Sequence, residues 1–342
     1  MTNPSILAAA QVQMTWFQIV FLVMGDIGNI LNCMIFLQKS LRHNNCCQYF
    51  LACSITNLII LNTGIPTNIF SLTNTNPATY SLVYCKVRMY IIHSLLMVSR
   101  FYIVLACADR YALCSPNPRI RDFTRPKVAR VLIPLTLFVF FLMPIHLPIL
   151  MTIQQSKCIM PGLYNLLWSI YIMLLAGLFP LISMAVFGLL ACRNIRYLRR
   201  RIQPSGVSQR IRIKNRDYQL MKMLFVEVII YILTTLMYPS YAFYSALTLN
   251  ASKGTQRIAN EAFVSFLSGS FLLYINNCST FYIYVFTSTT FRKELRSIAV
   301  NYILKYLLKE NSNQGSAQRS SNIGQAVVVI DPFRTVQQGK TR

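Results

Sequence analysis

Seven stretches of this chain are apolar for long enough to cross a membrane, and that feature excludes most folds. The hydrocarbon of a bilayer is about 30 Å thick, which takes roughly 20 residues of helix to span. Runs at about 15–37, 49–72, 86–108, 128–151, 163–191, 220–249 and 262–287 meet that length, each bounded by a polar or basic stretch. Strands of a membrane barrel alternate apolar and polar residues, and these runs do not. The fold class read from them is all-α, a seven-transmembrane helix bundle. Composition agrees. With 54% hydrophobic residues, 12% charged and a mean hydropathy of +0.45, there is too little charge to cover a soluble domain of 342 residues.

The net charge of +24 would suit nucleic acid if it were spread over a soluble surface, so its distribution decides. With seven spans the connections alternate sides. One side (38–47, 109–130, 192–222 and 288–342) holds 27 of the 33 Lys and Arg, and the other holds five: Lys86, Arg88, Lys157, Lys253 and Arg257. Basic residues favour the cytoplasmic face, so the C-terminus is expected inside and the N-terminus outside a multi-pass plasma-membrane protein. The charge reads as topology rather than nucleic-acid binding, and its clustering should attract anionic lipids of the inner leaflet. Residues 1–14 contain no Lys or Arg. A cleavable signal peptide is therefore not expected, and the first run serves as its own insertion signal.

The expected organisation is an extracellular tail (1–14), the seven-span domain (15–290), a membrane-surface helix (291–308) and a disordered cytoplasmic tail (309–342). The tail is too short to form a ligand-capturing domain. The surface helix is read from Phe291, Leu295, Ile298 and Tyr302, which recur at helical spacing beside Arg292, Lys293, Arg296 and Lys305. The longest inner loop, 193–217, carries Arg199, Arg200 and Arg201 and the turn-forming Pro204-Ser205-Gly206. Asn250-Ala251-Ser252 is a glycosylation sequon on the outer side. Of ten cysteines, most sit inside apolar runs, where a thiol packs as a small apolar group. Cys85 and Cys158 both fall on the oxidising outer side, which predicts a disulfide from the fourth-to-fifth loop to the top of span three. The alternative is two free surface thiols.

Span three carries the most specific pattern. Asp109-Arg110-Tyr111 stands at its inner end, 25 residues after Cys85 and so about 37 Å along one helix. Other features keep the same register: Gly28-Asn29 in span one, Ser54-Ile55-Thr56-Asn57-Leu58 followed by Pro66 in span two, Pro180 in span five, Pro239 in span six. Asn276 to Tyr284 in span seven follows, with Phe291-Arg292 seven residues beyond Tyr284. Taken in order over about residues 25–305, the set resembles the rhodopsin-like (class A) G-protein-coupled receptors. Asp109-Arg110-Tyr111 is similar to that family's "DRY" and the segment ending at Tyr284 to its "NPxxY". The resemblance implies a receptor for an extracellular ligand that engages a heterotrimeric G protein through Arg110, with Asp109, Tyr111 and Tyr284 as switch residues.

The departures mark a divergent member. Asn57 replaces the family's usual Asp, which puts a sodium site in doubt. Met237 replaces the rotamer-switch Trp, Thr280-Phe281 replaces Asn-Pro, Gly188 stands at a Tyr position, and span four lacks its usual Trp. Ligand class is read by elimination: the amine-binding Asp position is Ile92, and the retinal-binding Lys position is Tyr274. Tyr90, Ile92, His93, Tyr241, Tyr244 and Tyr274 are the pocket candidates, an aromatic and non-acidic set that suits a short peptide such as a neuropeptide. No cofactor or metal site is expected, and no enzyme, because His43, His93 and His146 show no HExxH spacing. Asp26, Asn29, Asn57, Arg100 and Asn276 form an expected intramembrane polar core. Charges inside a span are functional by default, so the rival reading is an ion- or proton-coupled transporter or channel using Asp26, Arg100 and Glu227. Arg100 needs a partner: either one of those acids or backbone carbonyls with polar groups such as Asn57 and Asn276.

Overall fold

A computed structural model describes residues 4–201, 207–249 and 251–300. The chain divides into two units, Met1–Arg292 and Lys293–Arg342. In the first, seven helices are long and apolar enough to cross a membrane: Ser5–Phe36, Asn45–Phe70, Leu82–Leu113, Pro126–Leu150, Leu163–Asn194, Tyr218–Leu247 and Thr255–Thr287. In the second, residues 293–300 are helical. The rest of the expected surface helix, from 301, and the expected tail (309–342) lie outside the described residues.

The helices outrun their apolar runs, because apolarity marks the membrane portion and not the end of the helix. Span one starts at Pro4, where proline's missing N–H costs nothing, and Ala8-Ala9-Ala10 extends it. The stretch expected as a tail is thus helical from residue 4. Likewise, helix continues to Arg201 and resumes at Val207, so most of the expected 193–217 loop is helix. Its Arg, Lys, Leu and Gln favour that state. Residues 202–206, with Pro204-Ser205-Gly206, lie outside the described residues.

Local chemistry places the joints. Asn44 caps span two, its Oδ1 accepting from Cys46 N–H at 3.0 Å. Ser81 caps span three through Tyr84 N–H. Span six breaks at Leu236, between Thr235 and Met237 and three residues before Pro239, whose ring and missing N–H disrupt the preceding turn. Spans five and seven each contain a π-helical turn, at Ile172–Leu178 and Leu267–Leu272. Span three packs against spans two, four, five and six, and span one against two and seven. Gly28 permits that last contact: a Cβ there would stand 2.9 Å from the Cβ of Phe281.

Between spans four and five, Thr152–Gln154 pairs antiparallel with Lys157–Ile159. The two-residue turn, Gln155 and Ser156, adopts φ of 49° and 56°, the left-handed pair a tight hairpin requires. Cys158 on the second strand is disulfide-bonded to Cys85 at the start of span three, with Cα atoms 5.8 Å apart. The predicted covalent tie is therefore present. Losing a native disulfide costs about 2–5 kcal/mol. Cys85→Ser and Cys158→Ser should each lower the melting temperature and yield of the full chain, with the double variant no worse than either. Additive, mild effects in a thermal-shift series would contradict a shared bond.

Candidate functional site

At the end of the bundle opposite the disulfide, Arg110 is held by Asp109 and by Asn44. Its Nη2 donates to Asp109 Oδ2 at 2.6 Å and to Asn44 Oδ1 at 2.9 Å. The side chains of Arg110 and Asp109 are only 3% and 1% exposed. Taking one partner from a buried pair leaves an uncompensated charge, so the pair is a strong local constraint. Asn44 was not singled out from sequence, although an Asn just before a helix is an ordinary capping signal; here one oxygen both caps span two and anchors Arg110. Tyr111 packs near Phe187, ring centroids 6.0 Å apart.

Beside this pair, spans three, five and six enclose an apolar cleft of about 250 Å³ that Arg110, Met184, Gly188, Leu224 and Val228 help to line. Nothing stands within 4 Å of where a Gly188 side chain would begin. The departure noted at this position thus coincides with open space.

The middle of the membrane is organised by Pro180. Four residues before Pro180, whose ring and missing N–H disturb the helix, Ala176 lies in the π-helical turn. Two side chains from other spans donate to its carbonyl: Arg100 Nη1 at 3.2 Å from span three and Tyr231 Oη at 2.6 Å from span six. The guanidinium also lies 5.6 Å from the centroid of the Tyr231 ring, within cation–π range. Neither intramembrane acid pairs with Arg100. Asp26 accepts from Asn62 Nδ2 at 2.8 Å, and Glu227 accepts from Tyr284 Oη at 2.9 Å. Of the two expected partnerships for Arg100, the backbone one is found.

Asn57, Arg100, Glu227 and Asn276 do share a cavity with Ser99 and Thr280. Its volume is about 20 Å³, room for about one water molecule and nothing larger. Ser99 Oγ donates to Asn57 Oδ1 at 2.8 Å. Asn29 joins through Thr280, whose Oγ1 donates to Asn29 Oδ1 at 3.3 Å, while Asn29 Nδ2 donates to the Asn277 carbonyl. Asp26 lies outside this group. Tyr284 is buried among Phe36, Phe50 and Phe291.

Toward the disulfide end, the six pocket candidates are dispersed. Tyr90 Oη donates to the Phe141 carbonyl of span four at 2.6 Å. Tyr274 is buried in an apolar cluster with Ile60, Leu61 and Leu273. Tyr244 donates to Glu261 and accepts from Arg257, with Tyr241 beside it at 6.4 Å between centroids. Ile92 is half-buried. His93 contacts Tyr171 at 3.2 Å and packs 4.7 Å from Trp168. His146, with Tyr164 at 2.6 Å, completes this cluster across spans three to five. The sequence signal for it was Trp168 and Tyr171, three residues apart and so on one helix face. Asn250 lies outside the described residues.

A family model described as "7 transmembrane receptor (rhodopsin family)" matches residues 28–320. No curated protein matches the sequence.

Because Arg100 and Tyr231 share one acceptor, loss of either leaves Ala176 O one side-chain donor, and loss of both removes the two together. An unsatisfied buried acceptor costs about 1–3 kcal/mol. In melting experiments on the full chain, Arg100→Leu with Tyr231→Phe should be less stable than the sum of the singles by about that amount. Strict additivity would show that the two donors act independently.

Proposed function

This chain belongs to the rhodopsin family of seven-transmembrane receptors, and we propose that it is a plasma-membrane receptor that binds a short extracellular peptide and activates a heterotrimeric G protein. The disulfide end then faces outward with the N-terminus, and the Asp109–Arg110 end faces the cytoplasm, as the basic residues favour. The observation that carries the reading is the double hold on Arg110. A buried guanidinium clamped by Asp109 and Asn44, at the edge of a cleft between spans three, five and six, is a latch that an opening of those spans would release. The ligand acts by binding the released state more tightly than the latched one.

Energy reaches the latch through span three. Arg100 joins it to spans five and six at Ala176, ten residues from Arg110 and so about 15 Å along the helix. A shift of span five or six at the level of Pro180 is therefore felt by the helix that carries Arg110. Tyr284 and Glu227 couple spans six and seven beside it.

In cells expressing the full chain with an N-terminal epitope, the epitope should be reached by antibody without permeabilisation. Asp109→Asn should raise ligand-independent G-protein activation roughly tenfold for each 1.4 kcal/mol removed from the latched state. Arg110→Ala should abolish activation while surface level is retained. Calcium and cAMP readouts across a peptide library test the ligand. Full agonist response in Arg110→Ala would overturn the assignment.

A further inference from the structure

We propose that the end of the bundle carrying the disulfide holds a recognition site for an anionic group, a carboxylate or phosphate on the ligand, formed by Arg88 and Lys157. The inference names the ligand chemistry of the receptor reading above and rests on that reading only for which side meets the ligand.

The site follows from the covalent tie. Arg88 is three residues after Cys85 and so on the same face of span three. Lys157 is the neighbour of Cys158. The Cys85–Cys158 bond therefore brings two cations from distant stretches to one place. They line a cavity of about 400 Å³ together with Asn76, Thr79, Ser156 and the disulfide itself. That volume is within the range of small-ligand sites, about 300–1,000 Å³.

Charge accounting favours an anion. In the stretches at this end, 1–14, 71–88, 151–162 and 248–261, the single carboxylate is Glu261. It is already committed to Lys253 at 2.6 Å and Arg257 at 2.9 Å. Arg88 and Lys157 have no carboxylate partner among the described residues. Arg88 is half-buried, and its guanidinium is oriented from one side only: Nη2 donates to Asn68 Oδ1 at 3.1 Å and to the Gly64 carbonyl at 3.4 Å. Its buried Nε has no acceptor among the described residues. A guanidinium fixed in this way retains donors in the planar arrangement that matches carboxylate or phosphate oxygens. A cationic ligand would meet uncompensated positive charge here. The hairpin turn beside the cavity holds Gln155 and Ser156 at positive φ, which keeps Lys157 at the strand start rather than on a free loop.

The test uses the purified full chain in nanodiscs, without G protein, so that its failure is separate from failure of signalling. Thermal stabilisation is titrated with N-acetylglycine and with inorganic phosphate, against N-acetylglycinamide and chloride at matched ionic strength. A saturable shift with either anion is expected, and the stronger of the two identifies the group as carboxylate or phosphate. Arg88→Gln should raise the half-saturating concentration at least tenfold. Lys157→Gln, an exposed position that leaves the contacts of Arg88 to span two intact, should raise it severalfold. Lys86→Gln should leave it unchanged, because Lys86 bonds the Ile149 carbonyl and lies outside the cavity. No shift beyond the amide and chloride controls would overturn the proposal. So would an equal loss in all three variants, which would reduce the effect to a general positive field.

Discussion

Inside a bilayer a backbone carbonyl cannot turn to water, so every helix break has to be repaired by another part of the protein. The carbonyl of Ala176 is the break on which this bundle is organised. It lies in the π-helical turn just before Pro180, and Arg100 and Tyr231 both close on it. One acceptor thereby joins spans three, five and six near the middle of the membrane. The arrangement also resolves the problem of Arg100. A lone guanidinium at that depth costs several kcal/mol even by insertion-based estimates, and the cost falls when a carbonyl and an aromatic face replace the lost water. The proline and the arginine are thus complementary defects: each supplies what the other lacks.

Span three is the axis through which this junction acts. Covalent attachment holds one end, at Cys85, and a buried charged clamp holds the other, at Arg110. A helix fixed at the top cannot relieve a lateral shift of its neighbours by sliding, so displacement is felt at the lower end. There the restraint is noncovalent, and one of its acceptors, Asn44, belongs to the cap of span two. The latch is thereby tied to the integrity of a second helix start.

The bundle was legible because lipid turns span length into a count of apolar residues, and the order of spans then follows the chain. The Cys85–Cys158 bond was legible for a similar reason: the sidedness expected from the basic residues leaves only these two thiols in the stretches of one side. Helix ends were less so. The basic residues up to Arg201 are helical without being apolar, and hydropathy is silent on them. Pro4 to Met14 instead continue the apolar character of span one, interrupted by the polar Gln11 and Gln13. The link from Pro180 to Ala176 was in principle readable from the offset of four, but which donor would answer it depends on how spans three and six are rotated. Rotation is also why Tyr274, alike in type to Tyr244, is buried against span two while Tyr244 joins an exposed charged network. Side-chain chemistry names candidates, and helix rotation chooses among them.

Charge is satisfied differently in the middle of the bundle and at the Arg110 end of span three. In the middle of the membrane each ionisable side chain is answered by a neutral group: Arg100 by a carbonyl and a ring, Glu227 by Tyr284, Asp26 by Asn62. Arg100 and Glu227 border the same cavity, yet it is closed down to the size of about one water, and Asp26 does not reach it. A relay of charges through these three residues would need a continuous wetted path between them. A receptor needs the opposite, a core that can shift by small amounts without tearing an ion pair apart. Neutral partners permit this, because a hydrogen bond to a carbonyl or hydroxyl can be exchanged at a cost of about 1 kcal/mol, whereas separating a buried ion pair costs several times more. Among the described residues, the buried ion pair within the spans is Asp109–Arg110. The buried charged restraint therefore sits at the Arg110 end of span three, and the groups above it are held by neutral partners.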